Sequence, residues 1–190
     1  MNRLQNAVAC AVTALSVAAC GGSPTSPSSS GTFTMMMRDS PYSDAKAVLV
    51  TFSSVEVHRS GGPPTTLSFA GGASSRTCDL KKLESQQDLI GTASLDPGNY
   101  TMVRLVVSSA TIYHDNPSQG SACAPVIAPP AGRSDPMDIP SGEVRLNRNF
   151  DVQASGATTM LVDFRGDQSI RETGNGRFLM TPVIVVVSVN

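Results

Sequence analysis

The sequence predicts an all-β domain: a β-sandwich or open barrel of about eight strands, with at most one or two short helices. Three observations predict it. From Gly31 onward the apolar residues recur at period two rather than 3.6. Gly, Pro, Asn and Asp clusters punctuate these runs. Ser, Thr, Gly and Pro are abundant, while aromatic residues make up only 5% of the chain and Trp is absent.

Taken in order, Phe33 to Arg38 forms a first strand and Ala47 to His58 a long second one. Val48, Val50 and Phe52 share one parity, but Val55 and Val57 share the other, so a bulge or bend is expected at Ser53-Ser54. Thr65 to Ala70 is a short strand. Asp79 to Leu89 is the one segment with helical spacing, through Leu80, Leu83 and Leu89. The turn Pro97-Gly98 launches a long strand from Tyr100 to His114, whose parity flips at Ser108-Ser109. Two long strands with mid-strand flips suggest strands that bend and pass between sheets. Val144, Leu146, Phe150 and Val152 alternate with polar residues, as do Met160, Val162 and Phe164. Phe178 to Met180 is short. The run Val183 to Val187 is apolar on both parities, which predicts a strand covered on both faces or central in a sheet.

The N-terminus follows a different pattern. Residues 1–19 read as a signal peptide: Arg3, then an apolar run from Ala7 to Ala19. That run of about 13 residues is shorter than the roughly 20 that a spanning helix needs. It ends Val17-Ala18-Ala19-Cys20, which resembles the bacterial lipobox. The resemblance implies diacylglycerol on the Cys20 thiol, cleavage before it, and a long-lived membrane anchor, because two or more acyl chains hold stably. Gly21, not Asp, follows; an Asp there resembles an inner-membrane retention signal, so its absence favours the outer membrane in a Gram-negative host. Residues 20–30 form the lipidated Cys and a Gly/Ser/Pro-rich tether, and residues 31–190 the single folded domain.

Charge excludes one class of partner. The chain has 14 Lys and Arg against 15 Asp and Glu, with no basic patch, so it lacks the electrostatic footprint of a nucleic-acid binder. Cys78 and Cys123 remain beyond the anchor. In an exported chain a disulfide is the economical reading; free or buried thiols are the alternative. Closing a loop of about 45 residues would stabilise by roughly 4 kcal/mol.

Candidate chemistry is sparse. His58 and His114 lie near the ends of the two long strands, where Glu56 or Asp115 could join them on a metal; solvated strand ends are the favoured reading. Neither a Gly-x-Ser-x-Gly nor a His-Glu-x-x-His motif is present. Asp39 and Asp44 flank Pro41, and Asp163 and Asp167 flank Arg165-Gly166, but neither pair has calcium-loop spacing, and turn capping is the commoner role. Tyr42 and Tyr113 are the candidate exposed platforms for a sugar. No catalytic residue, metal site or cofactor is assigned.

Several short motifs together resemble a bacterial lipoprotein family known as domain of unknown function 4382. They are Arg38-Asp39-Ser40-Pro41, Val55-Glu56-Val57-His58, Leu95-Asp96-Pro97-Gly98-Asn99-Tyr100 and Ile139-Pro140-Ser141-Gly142, then Ser169-Ile170, Gly174-Asn175-Gly176-Arg177-Phe178-Leu179-Met180 and Pro182-Val183. The resemblance covers nearly all of residues 31–189 and implies an exported β-sandwich with no agreed activity. The Leu-x-Pro-Gly-x-Tyr turn also resembles prealbumin-like sandwiches, where it helps close the fold. The cysteine pair lies outside the family pattern. The expected role is a non-catalytic binding module of the cell envelope, anchored through Cys20, with an envelope protein or a glycan as ligand. The alternatives are a structural component docking on another envelope protein and, behind it, a metal-dependent or hydrolytic enzyme.

Overall fold

A computed structural model describes residues 29–40 and 42–190. The leader, Cys20 and most of the tether lie outside the described residues. Within these described residues fourteen strands form two sheets packed face to face, an all-β sandwich with two one-turn α-helices. In chain order the strands are β1 (Gly31–Ser40), β2 (Ala47–Arg59), β3 (Thr65–Thr66), β4 (Ser68–Phe69), β5 (Arg76–Asp79), β6 (Asp88–Leu95), β7 (Gly98–Tyr113), β8 (Cys123–Ala124), β9 (Ser134–Asp138), β10 (Glu143–Val152), β11 (Ala157–Arg165), β12 (Ile170–Glu172), β13 (Phe178–Met180) and β14 (Ile184–Val189). The helices are α1 (Leu80–Leu83) and α2 (Gly166–Ser169).

The five-stranded sheet runs β14-β11-β1-β6-β4. The nine-stranded sheet runs β12-β13-β9-β7-β2-β5-β8, with β10 also on β7 and β3 on β2. β1 lies between β11, its parallel partner, and β6, its antiparallel one. Period-two patterning decides the core. Phe33, Met35 and Met37 from β1 and Met160, Val162 and Phe164 from β11 meet Val48, Val50, Phe52, Val103 and Leu105 from the other sheet. Phe150 stacks between Phe33 and Tyr100, with centroids at 5.2 and 5.5 Å.

Both parity flips occur where the sequence places them. Thr51 pairs with Ser109, Phe52 with Val107 and Ser54 with Val106, so Ser53 and Ser108 are each extra residues in the ladder. The two bulges nearly face each other and bend β2 and β7 together. These strands stay in one sheet, contrary to expectation. The crossing between sheets occurs instead at Leu67: β3 before it pairs with β2, and β4 after it with β6.

The helical spacing of residues 79–89 yields only the turn of α1. Asp79 caps it, accepting from the Lys81 N–H at 3.1 Å, and Leu80 and Leu83 plug the core. From Asp88 the chain is strand, because Ile90 faces the core and the backbone pairs with β1. The run Val183 to Val187 is neither central nor covered. β14 is a sheet edge, with Val185 and Val187 37% and 43% exposed.

Cys78 and Cys123 are disulfide-bonded register partners on β5 and β8. Beside them Asp79 is fully buried and accepts from the Val48 and Lys81 N–H groups and from Ser118 Oγ. The Pro-rich segment after β8 folds back, and Ile127 covers Ala47, Leu49 and Tyr113 on the outer sheet face.

Candidate functional site

The sandwich has two distinct poles. The chain enters at Gly31, which pairs with Leu95, while the Thr32 N–H donates to Gly156 O at 2.8 Å. Gly98 and Val152 pair at this same end. β1 then runs 10 residues, roughly 30 Å at strand rise, to Ser40 at the opposite pole. There β2 begins beside the end of β7, Ala47 against Tyr113.

At this far pole an open cleft of about 310 Å³ is lined by Tyr42, Asp44, His114, Arg133, Asp135, Glu172, Gly176 and Phe178. Three connections deliver these groups. The turn after β1 supplies Tyr42 and Asp44, and Lys81 Nζ holds it by donating to Tyr42 O at 2.9 Å. The turn before β9 supplies Arg133, and the start of β9 supplies Asp135. Gly132, at φ +101°, wraps this turn so closely around Asp115 that a Cβ would lie 2.5 Å from the carboxylate, and the Arg133 N–H donates to Asp115 Oδ2. The β12–β13 hairpin supplies Glu172 and Phe178, which are register partners. Its turn, Gly174-Asn175-Gly176, takes three successive positive φ angles, which accounts for the composition of that motif.

His114 forms the floor. Its Nε2 lies 2.8 Å from Asp135 Oδ2 and its ring tilts against Phe178, with centroids at 5.7 Å. Tyr42 forms a wall. Burial pushes its phenol pKa up, and the carboxylates of Asp44 and Glu172 push it further. The cleft therefore offers two aromatic rings, an imidazole, three carboxylates and one guanidinium, a set that suits stacking and hydrogen bonding around a polar ligand. A smaller hollow of about 210 Å³ continues past Phe178 to Asp138 and Arg177. A larger hollow of about 450 Å³ lies at the N-terminal pole between Arg148, Asp151, Gly156 and Asn190.

The sequence candidates divide between these places. Tyr42, Asp44 and His114 converge in the cleft, and Asp115 supports it from behind. His58 is at the other end of the β2–β7 ladder, paired through the backbone with Met102, so the two histidines cannot share a metal. His58 Nε2 lies 3.5 Å from Glu56, which also pairs with Arg104; Arg104 in turn meets Glu143, and Glu143 meets Arg145. These alternating charges form a surface ladder across three strands. Among the described residues no group of three or more His, Cys, Asp or Glu side chains is arranged to hold a metal ion. Tyr113 is no platform, being buried under Ile127. Asp39 and Asp163 are strand residues rather than loop ligands. Asp163 sits between Arg38 and Arg165 and accepts from Ser40 Oγ at 3.0 Å, while Asp39 is buried on the core side. Sequence reasoning missed Arg133 and Asp135, because β9 contains Pro136 and its neighbours show no apolar alternation, and Glu172, which ends the three-residue strand β12.

No curated protein and no solved structure matches this chain. A family profile described as a domain of unknown function (DUF4382) matches residues 30–182, which takes in the disulfide and every lining residue of the cleft. The chain thus belongs to the DUF4382 family.

Proposed function

We propose that this chain is an exported lipoprotein, anchored through acylated Cys20, whose sandwich acts as a non-catalytic binding module of the cell envelope. The observation that carries this reading is the separation of the poles. The tether joins at Gly31 and the cleft opens at the other end of β1, so a domain held to a membrane by its N-terminus presents the cleft to the aqueous side. Gly21 after Cys20, in place of an Asp, favours the outer membrane in a Gram-negative host. The lining favours binding over catalysis: His114 is engaged by Asp135, and among the described residues no Ser or Cys lines the cleft beside it. The ligand is an envelope protein or a glycan that lays a polar face on Tyr42 and Phe178.

The test has two parts. Palmitate should incorporate into the native chain and not into Cys20→Ala, which should leave the membrane fraction. Crosslinking in cells should recover a partner, or a glycan array a sugar, with retention lost in Tyr42→Ala and His114→Ala. Unchanged fractionation of Cys20→Ala would end the anchor reading, and unchanged binding by both cleft variants would end the site assignment.

A second reading, a structural component docking on another envelope protein, is favoured by β14. It is a sheet edge without charged residues that exposes Val185 and Val187.

A further inference from the structure

We propose that Asp39 is a positioning residue: its buried carboxyl clasps the end of β1 to the start of α2 and so sets the gap between Tyr42 and Glu172, two walls of the cleft. Asp39 follows Phe33, Met35 and Met37 on the core-facing parity of β1, where a carboxylate is costly unless it has a task. It is only 6% exposed. Its Oδ1 accepts from the Gly166 N–H at 3.1 Å across 127 residues of chain. Three residues beyond Asp39 the chain reaches Tyr42. Six residues beyond Gly166, through α2 and β12, it reaches Glu172. The seam is tight: a Cβ on Gly166 would lie 3.0 Å from Ser40 O and 3.1 and 3.2 Å from the two Asp39 carboxyl oxygens. On the third side Lys81 of α1 holds Tyr42 O and Glu84.

The same clasp makes the gap sensitive to pH. Burial pushes the Asp39 carboxyl up to about 8; the Gly166 N–H opposes this, Glu84 and Asp163 add to it, and Lys81 opposes it. Asp39 Oδ2 has no hydrogen-bond partner among the described residues. Opening the seam admits water and restores an ordinary carboxylate. Opening therefore becomes up to tenfold easier per pH unit from about pH 4 to about 8, then levels off. The cleft is tightest in mild acid. Any effect on affinity rests on the binding role proposed above; the clasp does not, and it can be tested without a ligand.

Amide hydrogen exchange of the whole protein, with β2–β7 ladder amides as internal reference, reads the clasp directly. Relative exchange of residues 42–46 and 166–172 should rise at least ~tenfold between pH 5 and 8 and level above. Asp39→Asn keeps the acceptor but cannot ionise, and should stay flat over that range. Asp39→Ala should exchange fast at every pH. A flat profile in the native protein, or an Asp39→Asn profile that tracks a rising native one, overturns the proposal. Should the variants fail to fold, a carbon-13 titration of the native Asp39 carboxyl decides. A midpoint near 8 that coincides with the rise in exchange supports the clasp, and a midpoint in the ordinary carboxylate range sinks it.

Discussion

Ser118 Oγ donates to Oδ2 of Asp79 at 2.6 Å, and this bond closes a fully buried site in which one carboxylate serves three donors from three segments. Asp79→Ala would leave the Val48 N–H, the Lys81 N–H and the Ser118 hydroxyl without their acceptor. Each buried orphan costs about 1–3 kcal/mol. Urea unfolding should show a loss of about 3 kcal/mol or more, whereas Ser118→Ala should cost only about 1. Equal losses would contradict the shared-acceptor arrangement.

The disulfide should stabilise through the unfolded state. It closes a separation of 45 residues, worth roughly 4 kcal/mol in the chain-entropy argument. The paired change Cys78→Ala with Cys123→Ala should lower the thermal midpoint by about 10 °C and leave the cleft intact, since neither cysteine lines it. A midpoint unchanged in the double variant would contradict a stabilisation that acts through the unfolded chain.

Gly142 is held by close approach. A Cβ there would lie 2.1 Å from Val107 O, while the Val107 N–H donates to Gly142 O at 2.8 Å. Gly142→Ala must push β10 off β7, and a loss above about 2 kcal/mol is expected on denaturant unfolding. Gly61→Ala, where the added methyl meets only open space but φ is +74°, should cost about 1 kcal/mol.

Asp39 should give the stability curve a definite slope. Its carboxyl is raised in the folded protein to about 8, so the folded state holds a proton that the unfolded chain releases near pH 4. The contribution is complete below about pH 4, declines by up to ~1.4 kcal/mol per unit as pH rises, and is gone above about 8. Unfolding free energies at pH 5 and 8 should differ less in Asp39→Asn than in the native protein.

The exposed edge should govern self-association. Val187→Lys places a charge on β14 without disturbing the core, since Val187 is 43% exposed. Light scattering during heating should show later aggregation with an unchanged unfolding midpoint; an earlier onset would move the weak edge elsewhere.

The sequence made the sandwich legible wherever side chains alternate without interruption. β1, β2, β7, β10 and β11 follow from parity, and Ser53 and Ser108 mark their own bulges. What stayed hidden depends on contacts between distant segments. The apolar run before Val187 reads as interior, yet nothing in a local pattern tells an edge from a centre. The leucines of residues 80–89 fit a helix until the partner strand β1 takes Ile90. In the cleft, Tyr42, Asp44 and His114 stood out as residue types, but their convergence required the folding of three turns far apart in the chain. Asp39 read as a loop residue because a carboxylate at the end of an apolar strand has no local explanation; its partner is 127 residues away.

β1 carries one more consequence. Being flanked by β11 and β6, the strand that follows the tether is bonded along both sides over most of its length. A pull applied between Gly31 and the opposite pole therefore runs lengthwise through β1. Such a load strains its ladder bonds together in shear instead of peeling them one at a time, so β1 is a strand that resists tension applied along its length.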